Sequence, residues 1–293
     1  MTILLWLLLV CSAWAQPRLR SGADFVDLQC DGGGEVWRST SPEGGPTSHW
    51  SMTGSGYRDR DLAHGIAYWY EVESRGRRWR LGPVRLDWHP LPRSRQPRLL
   101  INKSRYILSV LDGQRVLKRY AVAMGSQPLK RKLQFDRAST PEGRYRIVNL
   151  QPEATYYKAL DIDYPNEADI ARHELLAPQS DIGGEIQIHG MGIERNWTWG
   201  CVALRNQDIA EIFRHPEIGV GTSLWIYGGE VSLAELQSDA RAGRVDRLAL
   251  GRRQRRQGLP VTCLSASPAY VRKHSGSSRP AARKRPLSHP RSR

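Results

Sequence analysis

His189 closes the alternating run Ile186-Gln187-Ile188-His189, and after eleven residues Cys201 follows inside Thr198-Trp199-Gly200-Cys201-Val202-Ala203-Leu204. A free thiol ionises near pH 8.5 and is mostly protonated at neutral pH. A cysteine that attacks carbonyls therefore needs a base or a charged neighbour. A strand ending at His189 would present the imidazole at a sheet edge, and Gly190 and Gly192 would let the next loop fold tightly. Gly200 allows close backbone approach beside the thiol, and the N–H groups around Gly200 and Cys201 suit a developing oxyanion. The competing reading is a buried structural cysteine beside an unrelated histidine.

Other candidate groups are less informative. His173 and His215 lack metal-ligand spacing and read as surface or capping residues, so no metal site is expected. Tyr156, Tyr157 and Tyr164 read as core. Asn196-Trp197-Thr198 fits a glycosylation sequon. Asn206 and Asp208 open a predicted helix behind the thiol, with Asn206 as a candidate N-cap.

The elements that must position this pair can be read from periodicity. Leu99-Leu100-Ile101, then Tyr106 to Leu111, an Asp112-Gly113 turn and Val116 to Met124 form a strong hairpin signal. Strand-like runs recur at 143–150, 156–162, 185–189 and 222–227. Helical patterns cover 167–175 and 206–214, where Ile209, Ile212 and Phe213 share a face. This is a mainly β, α+β catalytic region with few helices. Ahead of it, Glu35-Val36-Trp37-Arg38, Ala67 to Glu73 and Val84 to Trp88 alternate at strand period and predict a small antiparallel β-sandwich-like domain. Pro90 to Pro97 reads as a linker.

The motifs carry a resemblance. His189-Gly190 followed by Thr198-Trp199-Gly200-Cys201-Val202 is similar to the L,D-transpeptidase (YkuD-like) catalytic domain, whose motif runs from a histidine through a loop to a Ser/Thr-x-Gly-Cys turn. Leu99 to Gly125 resembles that family's opening hairpin, and Ser139-Thr140-Pro141-Glu142-Gly143 resembles its Thr-Pro-Glu-Gly turn. Leu160 to Asn166 resembles a segment of one bacterial branch. The resemblance covers 98–228. Trp199 stands where many members have a second histidine, and Ala203 where arginine or asparagine is frequent.

It implies Cys201 as nucleophile, His189 as general base, and Gly200, Thr198 and Gly190 in the active-site turn. Trp199 and Asn206 become candidate substrate contacts. The implied substrates are peptidoglycan stem peptides, with D-alanine leaving and an amine acceptor, either another stem peptide or a wall-attached protein. The chemistry calls for no cofactor. That activity belongs to cell-wall organisation and cell shape. A thiol amidase or carboxypeptidase on the same scaffold differs only in using water, and a non-catalytic wall-binding protein is the rival from another class. Residues 62–72, with Leu62, Gly65 and Tyr68, also resemble the later strands of a fibronectin type III domain, with Tyr68 as its tyrosine corner. The first strands are expected to be short or missing.

At 293 residues the chain has room for two modest domains. Residues 1–15 read as a signal peptide, with an apolar run from Ile3 to Val10 and Ala13-Trp14-Ala15 before the cleavage point. Export to the periplasm or cell envelope is expected, with a lipid anchor at Cys11 as a minor alternative. Cys30 and Cys263 are either a disulfide pair or two free thiols. The expected organisation is therefore a signal peptide (1–15), a small fibronectin type III-like β-domain (22–90), a linker (91–97), a catalytic domain (98–228), a possible helix (229–242) and a basic, disordered tail (243–293). The net charge is +15, yet from Arg241 onward fifteen Lys or Arg face one acid, Asp246, a net of +14. Charge confined to a tail suggests a solvated extension, or attraction to acidic envelope polymers. Nucleic acid is disfavoured, because no aromatic stacking platform interleaves the arginines.

Overall fold

The computed structural model describes residues 16–242. The signal-peptide reading, Cys11, Cys263 and the tail from 243 lie outside these residues. The first seven strands are β1 (Arg18–Ser21), β2 (Val26–Gln29), β3 (Gly34–Ser39), β4 (Thr47–Met52), β5 (Gly56–Asp59), β6 (Ala67–Ser74) and β7 (Arg77–Arg85). They form a three-stranded sheet, β1-β2-β5, and a four-stranded sheet, β4-β3-β6-β7. Alternation drives the packing. Tyr68, Tyr70 and Val72 of β6 turn inward and share one apolar cluster with Val26, Leu28 and Val36. The expected early strands are present but only four residues long. Val84 to Trp88 is not a separate strand: β7 ends at Arg85, and Leu86 makes only an isolated bridge to His64.

Inside this sandwich the Tyr68 hydroxyl accepts the Ala63 N–H at 3.0 Å. Arg38 and Asp59 form a buried ion pair at 2.6 Å, with the Tyr70 hydroxyl donating to Asp59 at 2.9 Å. Arg38 also donates to the Arg105 carbonyl at 2.8 Å, so this pair ties the sandwich to the following domain. The apolar cluster continues across the same boundary through Ile107, Ala121, Ala123, Ile193 and Ala203.

Next come β8 (Pro97–Asn102), β9 (Ile107–Asp112), β10 (Arg115–Ala121), β11 (Gly143–Ala154), β12 (Tyr157–Ile162), α1 (Glu167–Leu176), β13 (Gln187–His189), β14 (Val202–Ala203), α2 (Asn206–Arg214), β15 (Ser223–Tyr227) and α3 (Leu233–Arg241). The eight strands build one mixed sheet, ordered β10-β9-β8-β15-β11-β12-β13-β14. Only β8–β15 and β13–β14 are parallel pairs. The fold is thus mostly β with three short helices. Its core joins Leu99, Ile101, Leu108 and Val110 to Ile188, Val202, Ile209 and Ile212.

Residues read as a linker are fastened down. The Leu91 N–H donates to the Glu211 carboxylate at 2.7 Å, and His215 Nε2 donates to the Pro92 carbonyl at 3.1 Å. A proline-rich strand lacks N–H groups but keeps its carbonyls as acceptors. His215 is the C-cap residue of α2, as the capping reading has it. His173 is neither a surface nor a capping residue, because its Nδ1–H donates to the Leu133 carbonyl at 2.8 Å from a buried position.

Candidate active site

The site is assembled where the sheet is narrowest. Ile188 pairs with Val202 and His189 with Ala203 in parallel register. Side chains alternate across a strand. Ile188 and Val202 therefore enter the core, while His189 and Cys201 occupy positions of the other parity on adjacent strands. Eleven intervening residues give the chain the reach to return parallel.

His189 is 1% exposed. Its Nδ1 lies 2.8 Å from the Gly190 carbonyl, which can only accept, so Nδ1 carries the proton and Nε2 keeps its lone pair. The ring is sandwiched. Tyr156 stacks on it with centroids 4.8 Å apart, and Trp197 meets it edge-on at 5.5 Å. Burial holds its basicity below the ordinary histidine value, opposed by the Gly190 carbonyl.

Cys201 is partly exposed, and its thiol donates to the Glu185 carbonyl at 3.6 Å. Glu185 adopts φ +57°, in the left-handed region that non-glycine residues rarely enter. Burial pushes the thiol above its ordinary value, opposed by the backbone of Gln187 and the charge of Lys132.

The turn before the thiol is held by Thr198. Its hydroxyl donates to the Cys201 carbonyl at 2.6 Å and accepts the Gly200 N–H at 3.4 Å. Gly200 has φ +116°, and a Cβ there would stand 2.7 Å from the Ser139 carbonyl, so only glycine fits. Gly190 leaves room for Asn206, whose Oδ1 would lie 2.5 Å from a Cβ there. Asn206 is not the N-cap of α2. Arg205 holds that position with no side-chain cap, and the Asn206 Oδ1 instead accepts the Met191 N–H at 2.8 Å, pinning the loop after His189. Trp199 is exposed, with the Arg137 guanidinium 4.1 Å from its ring centroid.

Residues 96–226 match the family model of the L,D-transpeptidase catalytic domain, YkuD. These residues are an L,D-transpeptidase catalytic domain. The chain is 34% identical over 108 residues to the Escherichia coli K12 protein named "Putative L,D-transpeptidase YafK", which covers 36% of this chain and 37% of that protein. The Escherichia coli O157:H7 protein of the same name matches equally. The chain thus spans 37% of the length of these curated relatives. Among solved structures, an L,D-transpeptidase of Xylanimonas cellulosilytica is 18% identical with a TM-score of 0.34, covering 48% of this chain and 65% of that one. Mycobacterium tuberculosis L,D-transpeptidase 1 is 12% identical with a TM-score of 0.29, covering 66% and 86%.

Within this L,D-transpeptidase domain, three residues beside the His–Cys pair escape sequence reasoning: Tyr156, Trp197 and Lys132. Tyr156 and Tyr157 are not core: both are about two-fifths exposed at the β11–β12 turn, and Tyr156 covers His189. Tyr164 is buried as expected. Trp197 sits inside a sequon that drew attention to Asn196 instead. Asn196 accepts the Met124 N–H and donates to the Tyr106 hydroxyl. Lys132 belongs to a basic run with nothing in its spacing to link it to Cys201. Among the described residues no group of three His, Cys, Asp or Glu is placed to hold a metal ion.

Proposed function

We propose that this protein is an exported cysteine L,D-transpeptidase acting on peptidoglycan stem peptides in cell-wall remodelling. The observation that carries the reading is the His189 tautomer, with Nδ1–H fixed on the Gly190 carbonyl and Nε2 left basic within an L,D-transpeptidase domain. Nε2 takes the Cys201 proton, and the thiolate attacks the carbonyl of the L-centre of the stem-peptide diamino acid. The oxyanion is received by backbone N–H groups of the Gly200–Cys201 turn. Gly200 N–H is bound to Thr198 at only 3.4 Å, a weak bond that a charged acceptor can displace. Collapse returns the proton from His189 to the departing amine, releasing D-alanine and leaving a thioester on Cys201. An acceptor amine attacks that thioester, its proton passing to His189 and back to the thiol.

Residues 16–90 fit a fibronectin type III-like module, supported by the three-plus-four strand sandwich and the Tyr68–Ala63 hydrogen bond. The basic tail would hold the enzyme near acidic envelope polymers.

Intact mass spectrometry with purified muropeptide tetrapeptides tests this function. A thioester adduct with release of D-alanine is expected for the native chain and is absent from Cys201→Ala and strongly reduced in His189→Ala. A cross-linked product identifies an amine acceptor, whereas a shortened or released peptide identifies water. No adduct and no product on folded protein would overturn the reading.

A further inference from the structure

Lys132 is a cation with 1% of its side chain exposed, and it stands at the active-site turn. Its Nζ lies 3.6 Å from the position a Cβ on Gly200 would occupy, immediately before the thiol residue. An ammonium taken out of water needs compensation, and Lys132 finds only part of it nearby. Nζ donates to the Asp136 carbonyl at 2.9 Å and sits 3.5 Å from Asp136 Oδ1. That carboxylate has other obligations. Asp136 accepts the Ala138 N–H at 3.0 Å, the Ser139 N–H at 2.7 Å and the Ser139 hydroxyl. Its negative charge is therefore spread over four donors. An ammonium carries three N–H groups; one donates to the Asp136 carbonyl, and the carboxylate adds only an ion-pair contact at 3.5 Å.

The loop geometry makes this arrangement rigid. Asp136 fixes Ser139, and the Ser139 carbonyl in turn abuts Gly200. Lys132 is thus held behind the Gly200–Cys201 turn by the same contacts that shape the turn. Its Nζ stands beside Gly200, the residue that precedes the thiol. At its buried position the Lys132 charge is screened less than a surface charge would be.

We propose that Lys132 is a positioning residue that holds a fixed positive charge behind the active-site turn and stabilises the Cys201 thiolate. The site needs such a charge. Burial opposes ionisation of both members of the Cys201–His189 pair, and His189 gains nothing from a carboxylate: its Nδ1–H is spent on a neutral carbonyl. The competing role is structural, with Lys132 merely clamping Asp136.

The inference rests on Cys201 being the reactive thiol and is tested without any peptidoglycan substrate. The rate of Cys201 alkylation by iodoacetamide is followed against pH in the full chain, with peptide mass mapping to separate this cysteine from the others. Lys132→Met is expected to raise the midpoint by about one unit, close to tenfold slower alkylation near neutral pH. Lys132→Arg, which keeps the charge, is expected to stay near the native profile. Lys132→Gln, which keeps a polar donor for the Asp136 carbonyl but loses the charge, is expected to raise the midpoint as Lys132→Met does. It also decides the matter if Lys132→Met fails to fold. A folded Lys132→Met or Lys132→Gln with the native profile, or an equal shift in Lys132→Arg, would overturn the proposal. A shifted profile in protein that forms no tetrapeptide adduct upholds it and counts against the substrate reading alone.

Discussion

Trp197 meets the His189 ring edge-on at 5.5 Å, and the same indole packs against the apolar cluster of the N-terminal sandwich. Ile193, from the same loop, is buried in that cluster. The loop joining histidine to cysteine is therefore folded against both the N-terminal sheets and the strands that carry His189 and Cys201. Trp197→Ala is expected to lower the acylation rate at least tenfold, with a smaller effect on KM, because the imidazole loses one wall of its seat. Steady-state kinetics on tetrapeptide substrate checks it. An unchanged rate would show that Tyr156 and the Gly190 carbonyl suffice.

The pH dependence of acylation should show where His189 titrates. A base must be neutral to accept the thiol proton, and burial favours the neutral ring. The acid limb of kcat/KM is expected below the ordinary histidine value of 6.5. On the alkaline side the rate should keep rising beyond the ordinary thiol value, because burial holds Cys201 protonated. An acid limb above pH 7 would contradict the assignment of His189 as a buried base.

Glu142 is a stability determinant rather than a substrate contact. It is fully buried, 3.7 Å from Lys103, and its carboxylate accepts the N–H groups of Gly229 at 2.6 Å and Glu230 at 3.0 Å. Burial lowers the Lys103 ammonium to about 8, even with Glu142 beside it. Glu142→Ala leaves that cation without its counter-ion and two N–H groups without their acceptor, and should destabilise the protein by about 3–5 kcal/mol. Urea unfolding of the variant measures the loss.

His64 is buried, its ring 4.4 Å from that of His89. Burial, with the nearby His89, Arg119 and Lys118, lowers it from 6.5 to about 4. The unfolded chain takes up this proton from about pH 6.5 downward, while the folded chain resists until about pH 4. The contribution is therefore complete above pH 6.5 and lost across that window as pH falls. His64→Gln should narrow the difference in Tm between pH 7 and pH 4.5. Equal differences in both proteins would exclude His64 as a source of acid sensitivity.

Much of the catalytic domain was legible from the residues alone. The Asp112-Gly113 hairpin, both helical stretches and the strand ending at His189 follow from local periodicity and turn chemistry, which depend on near neighbours in the chain. The Gly-Cys turn was legible because its backbone conformation admits only glycine at 200. Asn206 was misread as a cap. Its type suits both a helix start and a loop anchor, and only the position of the Met191 N–H decides between them.

What the sequence by itself determined is therefore the pair His189 and Cys201, the strands and turns around them, and the chemistry that such a pair can perform. The tertiary structure decided their surroundings: Tyr156 over the imidazole, Trp197 shared with the sandwich, Lys132 behind Gly200, and Arg38 bridging to the Arg105 carbonyl. These contacts join residues more than 30 positions apart, 33 for Tyr156 and His189, 68 for Lys132 and Gly200 and 67 for Arg38 and Arg105. Nothing in local periodicity records them, because burial and charge pairing depend on which surfaces meet once the chain has folded.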